Sequence, residues 1–243
     1  MIVVPQVRPE PGETLCLGVN MKSPFATRRK AGEALATKLA AYANRADVLV
    51  LGLPRGGVPV AYEVARALSA PLDIFLVRKL GVPGHEELAM GAIATGGVRV
   101  LNDETIALLH IPVSVIEAVA HREQQELERR EQLYRGDQPK PDVQGRTVIL
   151  VDDGLATGST MRAAAIALRR MEPSRIVVAV PVGAQESCDE FREEVDEVVC
   201  AVTPEPFRAV GASYVDFSQT SDEEVRHLLQ KTVGDERRVF HLA

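Results

Sequence analysis

A short apolar run that leads directly into two acids and a glycine-rich turn is the feature that most constrains this chain. Residues 148–151 form an unbroken run of valine, isoleucine and leucine. Such a run is typical of a strand buried on both faces of a parallel sheet. Asp152 and Asp153 follow it, then a turn of small residues, and then a strong helix-forming segment from Met161. The segment therefore predicts a strand, a loop and a helix in immediate succession.

The same loop has the chemistry of a phosphate site. Backbone N–H groups of residues 155–159 can line a concavity at the N-terminus of the following helix, where the helix dipole favours an anion. Gly154 and Gly158 let the backbone turn, and the two acids can accept hydrogen bonds from a vicinal diol. A ribose 5-phosphate therefore suits the loop at both ends. The candidate binding residues are Asp152, Asp153, Gly154, Leu155, Ala156, Thr157, Gly158, Ser159 and Thr160.

This segment resembles the phosphoribosyl diphosphate (PRPP) signature of type I phosphoribosyltransferases, over all of residues 148–160. The resemblance implies that the acids hold the ribose hydroxyls and the loop holds the 5-phosphate. It also implies that a nitrogen nucleophile, a purine- or pyrimidine-type base or a related amine, displaces diphosphate from C1. Mg²⁺ would be bound mainly through PRPP, with no direct protein ligand. The structural alternative is a plain Asp-Asp-Gly turn with a serine helix cap.

Two other phosphate-binding motifs do not fit the spacing. A Walker A loop has four residues between its glycines followed by a lysine, whereas Gly154 and Gly158 enclose three and no lysine follows. No Gly-x-Gly-x-x-Gly follows a predicted strand, so a Rossmann dinucleotide site is unsupported.

The composition limits the class of partner. A chain of 243 residues suffices for one sizeable domain. Its net charge of -6 and its lack of tryptophan argue against nucleic-acid binding, and no apolar run reaches the length of a membrane span. Cys16, Cys188 and Cys200 lack metal-site spacing and are expected to be reduced. We therefore expect a cytoplasmic protein with small-molecule partners, and a homodimer is left open.

Strands that alternate with helices predict an α/β fold with a mainly parallel sheet flanked by helices. Residues 1–22 are expected to form an N-terminal arm, and residues 23–202 the phosphoribosyltransferase-like core, with a lid at about 80–101. Residues 203–243 are expected to form a small hood and a helix that begins with the capping box at Ser221. The predicted strands are 47–53, 72–77, 90–94, 98–101, 148–151, 175–180 and 197–202, and the predicted helices are 25–43, 58–68, 113–134, a segment from 161, 185–194 and a segment from 221.

The loop after the first predicted strand is a candidate diphosphate site, because ligands of parallel sheets lie beyond the carboxyl ends of the strands. Its sequence Pro54-Arg55-Gly56-Gly57 resembles the diphosphate loop of the family, in which a basic residue precedes a glycine pair. Arg55 can form a fork to phosphate oxygens, and Gly56 and Gly57 let the backbone approach. The resemblance also predicts a cis peptide between Pro54 and Arg55. A plain turn is the alternative.

The second predicted strand ends at Arg78 and Lys79, which could neutralise the leaving diphosphate. Residues 81–87 have loop composition and resemble the lid of the family, whose closure would exclude water. Glu86 or Glu87 could then act as acid or base on the nucleophile. Solvated charges are the alternative for all of these side chains. The candidate catalytic set is Arg55, Lys79, Glu86 and Glu87.

The acceptor is not defined by the motifs. Family members that act on 6-oxopurines carry an acid where this chain has Ala156, and the local pattern is similar to adenine-type and amido-type members. The tail supplies the hood, with Tyr214 and Phe217 as candidate acceptor-stacking rings; core packing is the alternative. When the Phe25-x-x-Arg28 pattern is taken together with the motifs above, the chain resembles a group of predicted phosphoribosyltransferases whose acceptor is undefined.

Two other functions are alternatives to a transferase. A PRPP-sensing regulator with little or no catalysis would keep the fold, although no helix-turn-helix or basic arm is evident. A hydrolase of phosphorylated sugars lacks a Gly-x-Ser-x-Gly or paired metal-ligand motif.

Overall fold

The computed structural model describes residues 25–240, with the side chains of Glu87 and of residues 233–240 excepted. The predicted arm at residues 1–22, with Cys16, lies outside the described residues.

A five-stranded parallel sheet forms the centre of the molecule, as predicted. Its strands stand in the order β2-β1-β6-β7-β8, and all of its pairings are parallel. The strands are β1 (Val48–Gly52), β2 (Leu72–Ile74), β6 (Thr147–Val151), β7 (Arg175–Val182) and β8 (Glu197–Val202). A second, antiparallel sheet contains β3 (Val77–Val82), β4 (His85–Ala94) and β5 (Val98–Leu101).

Seven α-helices are described in residues 25–240. They are α1 (Arg28–Lys38), α2 (Gly57–Leu68), α3 (Asp103–Leu108), α4 (Val113–Arg135), α5 (Ser159–Arg169), α6 (Gln185–Phe191) and α7 (Asp222–Phe240). The α1 and α2 helices cover one face of the central sheet, and α5 and α6 cover the other. None of the seven helices is both long enough and apolar enough to cross a lipid bilayer.

The central strand β6 is buried on both faces, which explains its unbroken apolar sequence. Val148 and Leu150 point into the core formed with α5 and α6, whereas Ile149 and Val151 point into the core formed with α1 and α2. Burying each such side chain contributes roughly 1.5–3 kcal/mol relative to exposure. The strand therefore fixes where its carboxyl end, and the acids that follow, must lie.

The structure corrects the predicted bounds of the second strand. The strand predicted at residues 72–77 ends at Ile74, and Val77 already begins β3 of the other sheet. Phe75 and Leu76 are buried between the two, and the Leu76 N–H donates to Thr95 Oγ1 at 2.9 Å. The sequence pattern of a short apolar run does not indicate that its residues are divided between two sheets.

Residues 81–87 were predicted to be a loop, and most of them lie instead in the β3–β4 hairpin. Gly81 sits at a register shift of this hairpin, where an added Cβ would lie 2.8 Å from the Glu86 carbonyl oxygen. Its glycine therefore permits a close backbone approach within a strand. The predicted hairpin of residues 90–101 is present as β4 and β5.

The α4 and α7 helices agree more closely with the predicted helices. The α4 helix covers the predicted range, and its Glu123 is buried and paired with Arg78. The Ser221 hydroxyl accepts a hydrogen bond from the Glu224 N–H at 3.1 Å, as its capping role predicted. The α7 helix packs against α2 and α4.

Candidate functional site

Two loops emerge side by side because β1 and β6 are neighbours in the sheet. Gly52 pairs with Val151 at the carboxyl ends of these strands. The Leu53 N–H then donates to the Val151 carbonyl at 2.9 Å, and the Gly57 N–H donates back to the Leu53 carbonyl at 3.0 Å. The Pro54–Arg55 peptide between them is cis, as predicted.

The glycine pair of the first loop packs directly on the acid pair of the second. A Cβ on Gly57 would lie 2.6 Å from the Val151 carbonyl oxygen and 2.9 Å from the Cα of Asp152. A Cβ on Gly56 would overlap the carboxylate of Asp153. The two glycines are therefore needed for the close approach of the loops, and the candidate diphosphate and ribose residues come together.

The second loop leads into α5 with its N–H donors available. Gly158, the cap residue, has a left-handed φ of 70° and makes no side-chain capping bond. In the described part of the chain, the N–H groups of residues 156–160 have no hydrogen-bond partner, and Thr157, Ser159 and Thr160 are exposed. The geometry is that of an anion cradle at a helix N-terminus.

One donor of this loop is already used by the sheet. The Leu155 N–H donates to the Val182 carbonyl at 2.8 Å, and the Leu155 carbonyl accepts from the Ala184 N–H at 2.9 Å. This pairing corrects the expectation that the Leu155 N–H faces the ligand. The Leu155 side chain is buried, so this residue anchors the cradle.

The two acids differ in their surroundings. The Asp153 N–H donates to Asp152 Oδ1 at 2.8 Å, and the Asp153 carboxylate accepts from Arg28 Nε at 2.8 Å. Two effects raise the pKa of Asp152 to about 8: its burial, which is the larger, and the negative charge of Asp153. At neutral pH the unliganded pair therefore offers one protonated carboxyl group beside an ion-paired carboxylate.

The Asp152→Asn variant is expected to gain thermal stability over the wild type as pH rises. In the folded chain Asp152 keeps its proton to about pH 8, whereas the unfolded carboxyl ionises near its ordinary pKa of 3.8. The folded state binds more protons between these values, so the free energy of unfolding of the wild type falls as pH rises. Asparagine removes this dependence. Thermal scans of both proteins across this window test it, and a constant difference in melting temperature would contradict it.

Arg28 is the site residue to which sequence reasoning gave no role. Besides Asp153, its guanidinium donates from Nη1 to the Ser218 carbonyl at 2.7 Å and lies 3.9 Å from the centre of the Phe217 ring. The Phe25-x-x-Arg28 pattern was the available signal. Periodicity could not connect residues 125 positions apart.

The two candidate acceptor-stacking rings lie at different depths. Tyr214 is buried between Phe25 and Phe217, and its hydroxyl donates to the Asp153 carbonyl at 2.5 Å. Phe217 is 38% exposed. The exposed ring is therefore the accessible one of the two, and an acceptor role for either residue remains a prediction.

Arg55 lies at the rim of the loop pair, where α7 begins. Its Nη1 is 3.8 Å from Asp222 Oδ1, and about a third of each side chain is exposed. The same Asp222 oxygen accepts from the Tyr134 hydroxyl at 2.6 Å. Because a long, exposed ion pair contributes little stability, Arg55 can leave Asp222 for a phosphate at small cost.

The remaining candidates lie on the second sheet. Arg78 and Lys79 are on β3, so their predicted position at the end of a central strand is wrong. Arg78 donates to Glu123 at 2.6 Å. Glu86 is exposed and accepts from the Gly84 N–H at 3.2 Å within its own hairpin. The side chain of Glu87 is outside the described residues.

Comparison with known proteins identifies a family and several similar proteins. A model of the phosphoribosyl transferase domain matches residues 83–216. A Mycobacterium tuberculosis protein, named as a predicted phosphoribosyl transferase, is 46% identical over 211 residues, covering 87% of this chain and 47% of that protein. The chain thus spans about half the length of this relative.

Two further similarities cover different shares of the chain. A crystal structure of a protein from Thermus thermophilus has a TM-score of 0.77 and 45% sequence identity, and the match covers 86% of this chain and 98% of that one. The bifunctional protein PyrR of Chloroflexus aurantiacus is 33% identical over 129 residues, which are 52% of this chain and 65% of that protein.

Proposed function

The chain belongs to the type I phosphoribosyltransferase family, and we propose that it binds PRPP and transfers the phosphoribosyl group to a nitrogen nucleophile, releasing diphosphate. The observation that carries the proposal is the contact between two loops. A glycine pair lies against an acid pair, and the acid pair continues into an open cradle of N–H donors. This arrangement provides for the diphosphate, the ribose and the 5-phosphate in one continuous surface.

The 5-phosphate would bind in the cradle of residues 156–160. Their N–H groups have no partner in the described part of the chain, and the start of α5 adds the favourable end of the helix dipole. The hydroxyls of Thr157, Ser159 and Thr160 can donate to the remaining phosphate oxygens. The phosphate would therefore fix one end of the substrate without a basic side chain.

The ribose would lie across the acid pair. The ionised Asp153 can accept a hydrogen bond from one ribose hydroxyl, and Asp152 can accept from, or donate to, the other. Because the pair stands between the cradle and the glycine loop, a sugar held by both hydroxyls would direct C1 toward Arg55. Orientation of the reacting carbon is worth several kcal/mol of the barrier.

Transfer would break the C1–oxygen bond, whose electron pair leaves with the diphosphate, and form a C1–nitrogen bond from the lone pair of the nucleophile. Arg55 would neutralise charge on the departing diphosphate. The proton released by the nitrogen would pass to a carboxylate, for which Glu86 and Glu87 on the β3–β4 hairpin are the candidates. The hairpin would also exclude water from C1.

Mg²⁺ would bind at this site together with the substrate. In the described residues, no group of three or more histidine, cysteine, aspartate or glutamate side chains is placed to hold a metal ion. Mg²⁺ commonly binds through substrate phosphates and water, so residues 53–57 and the acid pair would hold it by holding PRPP. When bound, it would neutralise developing charge on the diphosphate.

One experiment tests the proposal and separates it from a regulatory role. PRPP binding is measured by calorimetry with Mg²⁺, and diphosphate release is measured with a panel of purine- and pyrimidine-type bases and related amines. We expect binding and base-dependent release. Binding with no release for any nucleophile would favour the PRPP-sensing regulator, and failure to bind PRPP would exclude both. Sedimentation analysis of the same samples tests for the homodimer.

The Arg55→Ala variant is expected to weaken diphosphate binding by about tenfold or more while changing ribose 5-phosphate affinity little, since one charge-assisted hydrogen bond is worth about 1.5–3 kcal/mol. Arg45→Ala is the matched control, because Arg45 is an exposed arginine near the amino end of β1, paired with Asp47. Calorimetry with each ligand provides the comparison. Equal losses for the two ligands would count against a diphosphate role for Arg55.

A further inference from the structure

We propose that Arg28 is a positioning residue of the sugar site, which fixes the Asp153 carboxylate and ties the hood segment, residues 203–218, to it. The inference rests on the proposed binding of PRPP, because it assigns Asp153 to the ribose. Arg28 lies at the start of α1, far in sequence from both the acid pair and the hood. It acts through the acid and not on the substrate.

The contacts of Arg28 use two different edges of its guanidinium. Nε donates to Asp153 Oδ2 at 2.8 Å, and Nη1 donates to the Ser218 carbonyl at 2.7 Å. Only 12% of the Arg28 side chain and 17% of the Asp153 side chain are exposed. A pair this shielded is not an ordinary surface ion pair, which solvent would weaken. The carboxylate is therefore held in one orientation before any ligand arrives.

The guanidinium group also contacts two rings of the hood. Its carbon Cζ lies 3.9 Å from the centre of the Phe217 ring and 6.0 Å from that of Tyr214. An arginine guanidinium makes such cation–π contacts more often than a lysine ammonium group does. The Tyr214 hydroxyl also donates to the main-chain carbonyl of Asp153. Asp153 is therefore held by its side chain from α1 and by its backbone from the hood.

The same contacts act on the charge of Asp152. Among the described residues, Asp153 and Arg28 are the charged groups that act on it, and the titratable Tyr214 faces the pair. Arg28 favours the ionised form of Asp152, against burial and the charge of Asp153. Without this cation, two neighbouring carboxyl groups in a half-buried site would share a proton up to a higher pH. Loss of Arg28 should therefore change how the pair titrates, as well as its orientation.

Arg29 provides a matched control on the same helix. Its Nε donates to the buried Glu63 at 2.8 Å. Glu63 also accepts from Arg66 at 2.6 Å, so it keeps one partner when Arg29 is replaced. Arg29→Met therefore removes an arginine–carboxylate pair of similar length without touching the acid pair or the hood.

The experiment compares Arg28→Met, Arg28→Lys and Arg29→Met with the wild type. Carboxyl ¹³C shifts of Asp152 and Asp153 are followed against pH in the free protein, and PRPP affinity is measured by calorimetry. In Arg28→Met the titration of the pair should move to higher pH, and PRPP should bind roughly 10- to 100-fold more weakly, since one charge-assisted bond is lost. Arg28→Lys should keep the titration near that of the wild type but recover only part of the affinity.

Each outcome decides the inference. If Arg28→Met lowers the melting temperature but matches Arg29→Met in titration and affinity, Arg28 is only structural and the proposal is overturned. Should Arg28→Met not fold, Arg28→Lys decides, because wild-type affinity in that variant would also overturn it. If the wild type does not bind PRPP, the proposed function fails, while the carboxyl titration still shows whether Arg28 sets the protonation of Asp152.

Discussion

Replacing both Asp152 and Asp153 by asparagine is expected to weaken PRPP binding by about 30-fold or more, because a hydrogen bond to the charged Asp153 carboxylate is worth about 1.5–3 kcal/mol and one to the neutral Asp152 carboxyl about 0.5–1.5 kcal/mol. The fold should survive. Both side chains stand beyond the end of β6, and asparagine keeps their volume. Calorimetry measures the affinity, and circular dichroism with thermal scans reports on the fold.

Two controls separate this effect from a general loss of structure. Asp47→Asn removes a carboxylate near the opposite, amino end of β1, where Arg45 and Thr147 hold it. The single Asp152→Asn variant leaves Asp153 to neutralise Arg28. PRPP affinity should be unchanged in the first and intermediate in the second. Wild-type affinity in the double variant would remove the ribose assignment.

A single methyl group at Gly56 is expected to reduce PRPP affinity by roughly 10- to 100-fold, equivalent to the loss of one charge-assisted bond. The backbone of Gly56 has φ -62° and ψ -32°, which alanine adopts freely. The obstacle is the Asp153 carboxylate, whose Oδ2 a Cβ on Gly56 would overlap, with Arg28 Nε 3.3 Å away. To admit the methyl group, the carboxylate must turn away from Arg28.

A double-mutant cycle tests this cause. If the clash accounts for the loss, Asp153→Ala and Gly56→Ala with Asp153→Ala should bind PRPP equally well, because the methyl group at residue 56 then no longer meets the Asp153 carboxylate. Additive losses would show that Gly56 acts independently of Asp153. Since alanine at such a position slightly stabilises the backbone, the melting temperature of the double variant should not fall below that of Asp153→Ala.

Much of the site was predictable because its parts are local in sequence. A buried strand, two acids, small loop residues and a helix follow one another in residues 147–169, and each part has a separate signal. The cis Pro54–Arg55 peptide was predicted from the resemblance of its loop. These features need no knowledge of which strands are neighbours.

The remainder depends on contacts between distant segments. The overlap of Gly56 with Asp153 requires β1 to lie next to β6, which hydrophobic periodicity does not determine. Glu123 pairs with Arg78 because the chain leaves the central sheet after Ile74 and enters the second sheet as β3. A charged residue on a polar helix is expected in solvent unless its partner is known.

The pairing of Leu155 with the neighbouring strand has a consequence for how substrate binding energy is used. Its N–H and carbonyl are hydrogen-bonded to Val182 and Ala184, so the sheet holds the start of the loop in place. If phosphate binds there as proposed, little chain entropy would be lost on binding. More of the binding energy of the phosphate would then be available to stabilise the transition state at the other end of the sugar.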